Sequence, residues 1–312
     1  MVKRIVKNIL RKLGYTIRKI PQNSILKNHG IIETEIGGFR LKINSGNPLK
    51  DWYKRYPEYN SEIARLAEII LLKYPHYGFI DVGANIGDTV CLIKYKTKVK
   101  FICIEGDPIV FPLLKENLSQ FRDGTIISAF LGEATEAIEM VTEKKGWNST
   151  LLPASENQGE KIQLHTLDAL IQPLEDRKDY KLLKIDTEGF DTKILRGASG
   201  FLNETRPVIF FEYNRDNMNR IGENGLDTLS FLRQIGYDFI LVYESMGRFI
   251  LSATLEDSQL IRQLHEYADG KNAAIYYFDL CVFHKEDRDI ALKFIKVEEN
   301  YRLYGNDHQL SV

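Results

Sequence analysis

The chain is poor in cysteine, has no long apolar run and carries almost no net charge. Its three cysteines, Cys91, Cys103 and Cys281, form no CxxC pair. That excludes a disulfide framework and a zinc site, and points to a reducing, cytoplasmic compartment. No stretch reaches the roughly 18–20 uninterrupted apolar residues of a transmembrane helix. The start lacks a signal peptide's continuous apolar core and cleavage site. The 42 Lys and Arg nearly cancel the 43 Asp and Glu, leaving a net charge of −1. A globally basic nucleic-acid binder is thereby excluded, and no nucleic-acid partner is expected. The 44% apolar and 27% charged shares of the 312 residues are those of a globular protein, not of a disordered, collagen-like or coiled-coil one.

The first twenty residues hold no acid. Val2, Ile5, Val6, Ile9, Leu10 and Leu13 recur at helical spacing, and Lys3, Arg4, Lys7, Arg11 and Lys12 fill the opposite face. A basic amphipathic helix of this kind either lies on an anionic membrane surface or packs on the protein's own core. The first alternative predicts a peripheral protein of the inner membrane face.

Alternation over Ile32–Ile43, broken at Gly37-Gly38, predicts a hairpin. Asn60-Ser61-Glu62 predicts a helix start. From residue 79, short apolar runs (Phe79–Val82, Phe101–Ile104, Ile126–Leu131, Leu182–Ile185, Val208–Phe211) alternate with helical segments such as Pro112–Phe121 and Phe190–Leu195. This rhythm predicts an α/β fold, a mostly parallel sheet with helices on both faces. The aromatic runs Phe239–Tyr243, Arg248–Ser252 and Ala274–Phe283 predict antiparallel strands at the sheet edge. Three regions follow: an N-terminal extension (1–60), one α/β domain (61–290) and a C-terminal tail (291–312).

The strongest local feature is Phe79-Ile80-Asp81-Val82-Gly83-Ala84-Asn85-Ile86-Gly87-Asp88-Thr89, an apolar strand ending in an acid before a glycine turn that opens a helix. In open parallel sheets ligands bind beyond the carboxyl ends of the strands. Gly83 and Gly87 permit close ligand approach or positive φ, and the helix N-terminus presents free N–H groups. A dinucleotide fingerprint needs G-x-G-x-x-G, which Gly83-x-x-x-Gly87 does not supply. Asp81 would repel a pyrophosphate and suits a cationic or zwitterionic cofactor such as S-adenosylmethionine. The next strand ends Glu105-Gly106-Asp107-Pro108, and Glu105 follows Asp81 by 24 residues, close to the spacing at which an acid accepts hydrogen bonds from ribose hydroxyls. Gly132 and Glu133, after the third strand, are placed for an adenine contact. The predicted cofactor set is thus Asp81, Gly83, Asn85, Gly87, Asp88, Thr89, Glu105, Gly106, Asp107, Gly132 and Glu133.

A second constellation is Lys184-Ile185-Asp186-Thr187-Glu188-Gly189, followed by Leu195-Arg196-Gly197-Ala198 and preceded by Thr166-Leu167-Asp168-Ala169-Leu170. Asp186 ends a strand at the same sheet edge as Asp81 and Glu105. A partly desolvated carboxylate there can take a proton from an acceptor, with Asp186 the first choice, Glu188 the second and Lys184 pairing with an acid or orienting the acceptor. The alternative for Asp186 is a helix cap. Asp186, Glu188 and Glu212 are a further alternative as oxygen ligands for a divalent metal. Trp147-Asn148-Ser149-Thr150 reads as a polar loop. His165 reads as structural and Asp168 as a helix cap.

Together these pieces, over residues 79–215, resemble the FkbM family of S-adenosylmethionine-dependent methyltransferases. The resemblance implies a Rossmann-like methyltransferase fold. It also implies O-methylation of hydroxyl groups on sugars, glycans or other natural products, as in polysaccharide biosynthesis. Two other classes compete: a nicotinamide-dependent sugar-nucleotide oxidoreductase or epimerase, disfavoured by the missing glycine fingerprint and by Asp81, and a non-catalytic adaptor that retains the fold.

Overall fold

The computed structural model describes residues 30–145, 148–154, 159–268 and 275–304. The basic segment 1–20 and Trp147 lie outside them. Strands β1 (Ile31–Ile36) and β2 (Phe39–Asn44) form the expected antiparallel hairpin. It turns through Gly37 and Gly38, both at positive φ.

Five apolar runs form the parallel part of an eight-stranded sheet: β3 (Gly78–Val82), β4 (Lys100–Glu105), β5 (Gly124–Ser128), β10 (Tyr180–Ile185) and β11 (Val208–Tyr213). Between β5 and β10 the chain builds a separate four-stranded sheet from β6 (Phe130–Leu131), β7 (Glu136–Lys145), β8 (Asn148–Pro153) and β9 (Glu160–His165). This small sheet is absent from the sequence reading. Residues 130–131 leave the main sheet, and residues 148–150, read as a loop, belong to β8.

The last strands are β12 (Tyr237–Glu244), β13 (Phe249–Thr254) and β14 (Phe278–His284), and the sheet order is β13-β12-β14-β11-β10-β3-β4-β5. Antiparallel pairing is present, as expected, but β14 is not at an edge. It inserts between β11 and β12, antiparallel to both. The order runs outward from β3 through β4 and β5, then restarts at β10 and runs the other way. The switch point therefore lies between β3 and β10, where open α/β sheets hold ligands.

Alternation along the strands sends side chains to two faces. Ile80, Ile102, Leu183, Ile209 and Val282 pack under the helices Asp191–Arg196, Ser199–Thr205 and Gly225–Gln234. Phe79, Phe101, Leu182, Phe210 and Cys281 pack under Ser61–Leu71, Asp88–Lys96, Phe111–Leu118 and Arg288–Tyr304. All three cysteines are free and buried. Among the described residues no helix is long and apolar enough to cross a membrane.

Both flanks are tied to the sheet more closely than the sequence indicates. Residues 291–304, read as tail, continue a helix that buries Ala291 and Phe294. Its Glu298 receives two hydrogen bonds from the Arg65 guanidinium, at 2.6 and 2.8 Å. The N-terminal hairpin is held by Asn117 of the helix Phe111–Leu118, which accepts a hydrogen bond from the Lys42 N–H at 2.7 Å and donates to the carbonyls of Lys42 and Ile86.

Candidate active site

The carboxyl ends of β3, β4 and β10 open into one cavity. Of the predicted cofactor residues, Gly83, Asn85, Asp88, Thr89, Glu105, Gly106 and Asp107 line it. Gly83 stands at φ +75°, and a Cβ there would lie 1.8 Å from the carbonyl oxygen of Asp186. Only glycine lets the two loops meet at the switch point. Asn85 is also left-handed, at φ +47°. Its N–H donates to Glu105 Oε2 at 2.9 Å, and the Asp107 N–H donates to Glu105 Oε1 at 2.8 Å. Burial pushes the Glu105 carboxyl above its usual range, and these two amides oppose the shift. Both oxygens are thereby fixed at the cavity wall.

Four predicted residues stand elsewhere. Asp81 lies beneath the cavity, fully buried. Gly87 caps the helix Asp88–Lys96 from a left-handed conformation and packs on Leu114 and Leu118. Gly132 and Glu133 are not at the cavity: Gly132 abuts Leu164, and Glu133 receives a hydrogen bond from Arg196 at 2.7 Å. The strand break after β5 turns the chain into the small sheet, so Ala129, Phe130, Leu131 and Leu151 form that wall instead.

Lys184, Asp186 and Glu188 all line the cavity. The pleat places two cross-strand pairs of ionisable groups, two residues apart along the strands, on the face that buries Phe210. Asp81 on β3 is the register partner of Lys184 on β10, and Glu212 on β11 is the partner of Asp279 on β14. The Lys184 ammonium sits 3.3 Å from Asp81 Oδ1 and 3.5 Å from Asp186 Oδ2. Burial works against its charge, but Asp81, Asp186 and Asp88 outweigh it and hold the ammonium above its ordinary pKa. For Asp81 the balance is opposite: burial wins over Lys184 and raises the carboxyl.

Asp186 is less desolvated than expected, its side chain being 45% exposed. It does not cap the following helix. That helix has no side-chain cap; Asp191, in its first turn, instead ties down the loop before it, accepting from the Thr187 hydroxyl at 3.0 Å and the Gly189 N–H at 3.2 Å. Burial, then the charge of Asp186, pushes the Asp191 carboxyl up to about 6. Glu188, at φ +56°, accepts from Asn217 Nδ2 at 3.0 Å. Glu212, weighed from sequence only as a metal ligand, is 7% exposed, lines the cavity, and its Oε1 has no hydrogen-bond partner among the described residues. Among the described residues no group of three or more His, Cys, Asp or Glu is arranged to hold a metal ion, so Asp186, Glu188 and Glu212 do not form that site.

Trp52 and Tyr59, from the N-terminal region, line the cavity although nothing in the sequence placed them there, and Tyr277, expected inside the strand run Ala274–Phe283, stands ahead of β14 and lines it too. Tyr53 donates a 2.7 Å hydrogen bond to Asp88. Burial raises the Asp88 carboxyl, and this bond opposes it. Away from the cavity, Asp168 caps, but caps a helix other than its own: it accepts from the N–H groups of Gly200 and Phe201 at 2.8 Å each, in Ser199–Thr205. Thr166 caps the helix Leu167–Ile171.

The fold and the cavity define an α/β protein with an acid-lined cavity at the switch point of its sheet. The chain belongs to the FkbM methyltransferase family, whose methyltransferase FkbM domain matches residues 81–239. No curated protein matches the chain. Among solved structures, the methyltransferase FkbM from Methylobacillus flagellatus is 19% identical, over 53% of this chain and 40% of that one, with a TM-score of 0.39. TYW2 from P. horikoshii, solved with MeSAdo, is 14% identical over 90% and 82% of the two chains, at 0.38. A TehB-like SAM-dependent methyltransferase from Corynebacterium glutamicum is 15% identical over 77% and 100%, at 0.36.

Proposed function

We propose that the protein transfers a methyl group from S-adenosylmethionine to a hydroxyl of a sugar, glycan or related natural product. One observation carries the cofactor half of this reading. The charged side chains of the cavity wall are six acids (Asp88, Glu105, Asp107, Asp186, Glu188 and Glu212) and one base, Lys184. A pyrophosphate dianion entering this field is opposed by it, whereas a ligand with net positive charge is favoured. The same inventory disfavours a nicotinamide-dependent oxidoreductase, and a fixed, polar, glycine-cradled wall fits a ligand-binding enzyme better than an adaptor.

The residues present fit the cofactor. Glu105, held by two amides at the end of β4, is placed to accept hydrogen bonds from ribose hydroxyls. The Gly83–Asn85 turn brings backbone within reach, and Ala129, Phe130 and Leu131 offer an apolar wall to an adenine ring. S-adenosylmethionine supplies an electrophilic methyl group on a sulfonium. Asp186 then takes the acceptor's hydroxyl proton, from the exposed rim where an acceptor can reach it. Glu188, oriented by Asn217, is the second candidate. Lys184 holds Asp81 and Asp186 in place rather than touching the acceptor, because its ammonium already faces both carboxylates.

The test is incubation of the protein with methyl-labelled S-adenosylmethionine and a panel of sugars and glycan fragments. Label in a product ether supports the reading; Asp186→Ala then lowers the rate by about 10²–10⁴, the range of general-base catalysis. Unchanged rates in both Asp186→Ala and Glu188→Ala contradict the assignment. We also propose that residues 1–20 attach the protein to anionic membranes. Flotation with anionic liposomes checks this, and absence of binding contradicts it.

A further inference from the structure

Glu212 stands at the end of the cavity away from Glu105, on β11 rather than on β3 or β4. Three observations converge on it. Its carboxylate is more than nine-tenths buried, and Oε1 has no hydrogen-bond partner among the described residues although the side chain lines the cavity. An unsatisfied buried carboxylate costs folding free energy, so in native proteins its persistence calls for an explanation. Next, its strand partner Asp279 adds a second carboxyl on the same sheet face, and Asp186 and Glu188 add two more charges nearby. Finally, aromatic rings line the same cavity. Trp52 and Tyr59 meet edge-on at 5.5 Å, and Tyr277, ahead of β14, lies in the electrostatic field of Glu212 itself. Tyr59 and Tyr277 both lie within the electrostatic field of Asp186 and Asp279.

Carboxylates beside aromatic faces form the arrangement that holds organic ammonium groups, by ion pairing and by cation–π attraction. A neutral hydroxyl does not require it, and a phosphate or uronate is repelled by it. We propose that the acceptor carries a protonated amine, which docks between Glu212, Tyr59 and Tyr277 while a neighbouring hydroxyl faces Asp186. The proposal rests on the methyl-transfer reading and names the acceptor class: an amino sugar with its amine free, not acetylated. Burial and the surrounding carboxylates push the free Glu212 carboxyl well above the ordinary range.

The experiment is calorimetry of the full chain saturated with S-adenosylhomocysteine at pH 7. Glucosamine and galactosamine are each titrated against their N-acetyl counterparts. The expected result is at least tenfold tighter binding of a free amine. Glu212→Gln removes the preference while S-adenosylhomocysteine affinity stays within about twofold. Tyr59→Leu lowers amine affinity several-fold, and provides the readout if Glu212→Gln does not fold. Equal or tighter binding of the N-acetyl sugars, no amine binding, or a preference that survives Glu212→Gln overturns the proposal alone. Failure of S-adenosylhomocysteine to bind overturns the methyl-transfer reading, and this proposal with it.

Discussion

Gly83 and Asp186 lie so close that a Cβ on the glycine would stand 1.8 Å from the aspartate's carbonyl oxygen. The N–H of Asp186 donates to the Val82 carbonyl at 2.9 Å, so β10 is stitched to β3 one residue before that contact. The loop that shapes the cofactor end and the loop that carries the candidate base are thus in direct backbone contact. Distortion of one moves the other.

Gly83→Ala and Gly222→Ala separate this contact from simple conformational preference. Both glycines are left-handed, at φ +75° and +73°, but a Cβ at Gly222 would have no neighbour within 4 Å. Gly222→Ala is expected to cost about 1–2 kcal/mol, the left-handed penalty of an L-residue. Gly83→Ala adds a backbone clash and is expected to cost clearly more and to abolish cofactor binding. Denaturant unfolding of the two variants checks the difference; equal costs contradict it.

Lys184→Met leaves Asp81 buried and without its ion pair. Removing one partner of a buried pair costs about 3–5 kcal/mol. The loss should be smaller in Lys184→Met/Asp81→Asn, where no uncompensated carboxylate remains. Unfolding midpoints of the single and double variants check this.

Glu62 makes stability depend on pH at a distance from the cavity. It is fully buried, neither carboxylate oxygen has a hydrogen-bond partner among the described residues, and burial pushes its carboxyl up to about 8. The folded state then binds more protons than the unfolded state, where a glutamate titrates near about 4.3. Stability therefore falls as pH rises through this window. Between pH 6.5 and 8.5 the wild type should lose stability, and Glu62→Gln should flatten the slope. A steeper or unchanged slope in the variant contradicts the assignment.

Arg65 and Glu298 pin the C-terminal helix to Ser61–Leu71, with the guanidinium also stacked 3.7 Å over the Tyr301 ring. Glu298→Ala is expected to cost about 3–5 kcal/mol, and Arg65→Met/Glu298→Leu to recover most of it. A double-mutant cycle by chemical unfolding checks the coupling.

Legibility in the sequence followed locality. Strands ending in Asp81, Glu105 and Asp186 announce themselves, because apolar runs closed by an acid place that acid at the sheet's carboxyl edge. The hairpin at Gly37-Gly38 and the helix after Asn60 are equally local. What pairing at long range decides was not legible. The insertion of β14 between β11 and β12 leaves no mark in Phe278–His284, yet it brings Asp279 beside Glu212. β7 and β9 are polar and half-exposed, so the small sheet gives a weak alternation, and the wall expected from Gly132 and Glu133 came from Phe130 and Leu151. The Tyr53–Asp88 bond and the aromatic wall of Trp52 and Tyr59 depend on where the N-terminal region folds back. Only the Trp-Tyr-rich stretch 52–59 hinted at it.

The most direct test of the account is calorimetric titration of the full chain with S-adenosylmethionine and S-adenosylhomocysteine, with NAD as the contrasting ligand. Saturable binding of the first two is expected, weakened at least tenfold by Glu105→Ala, with no binding of NAD. Binding of NAD with no response to either methyl-cycle ligand contradicts it.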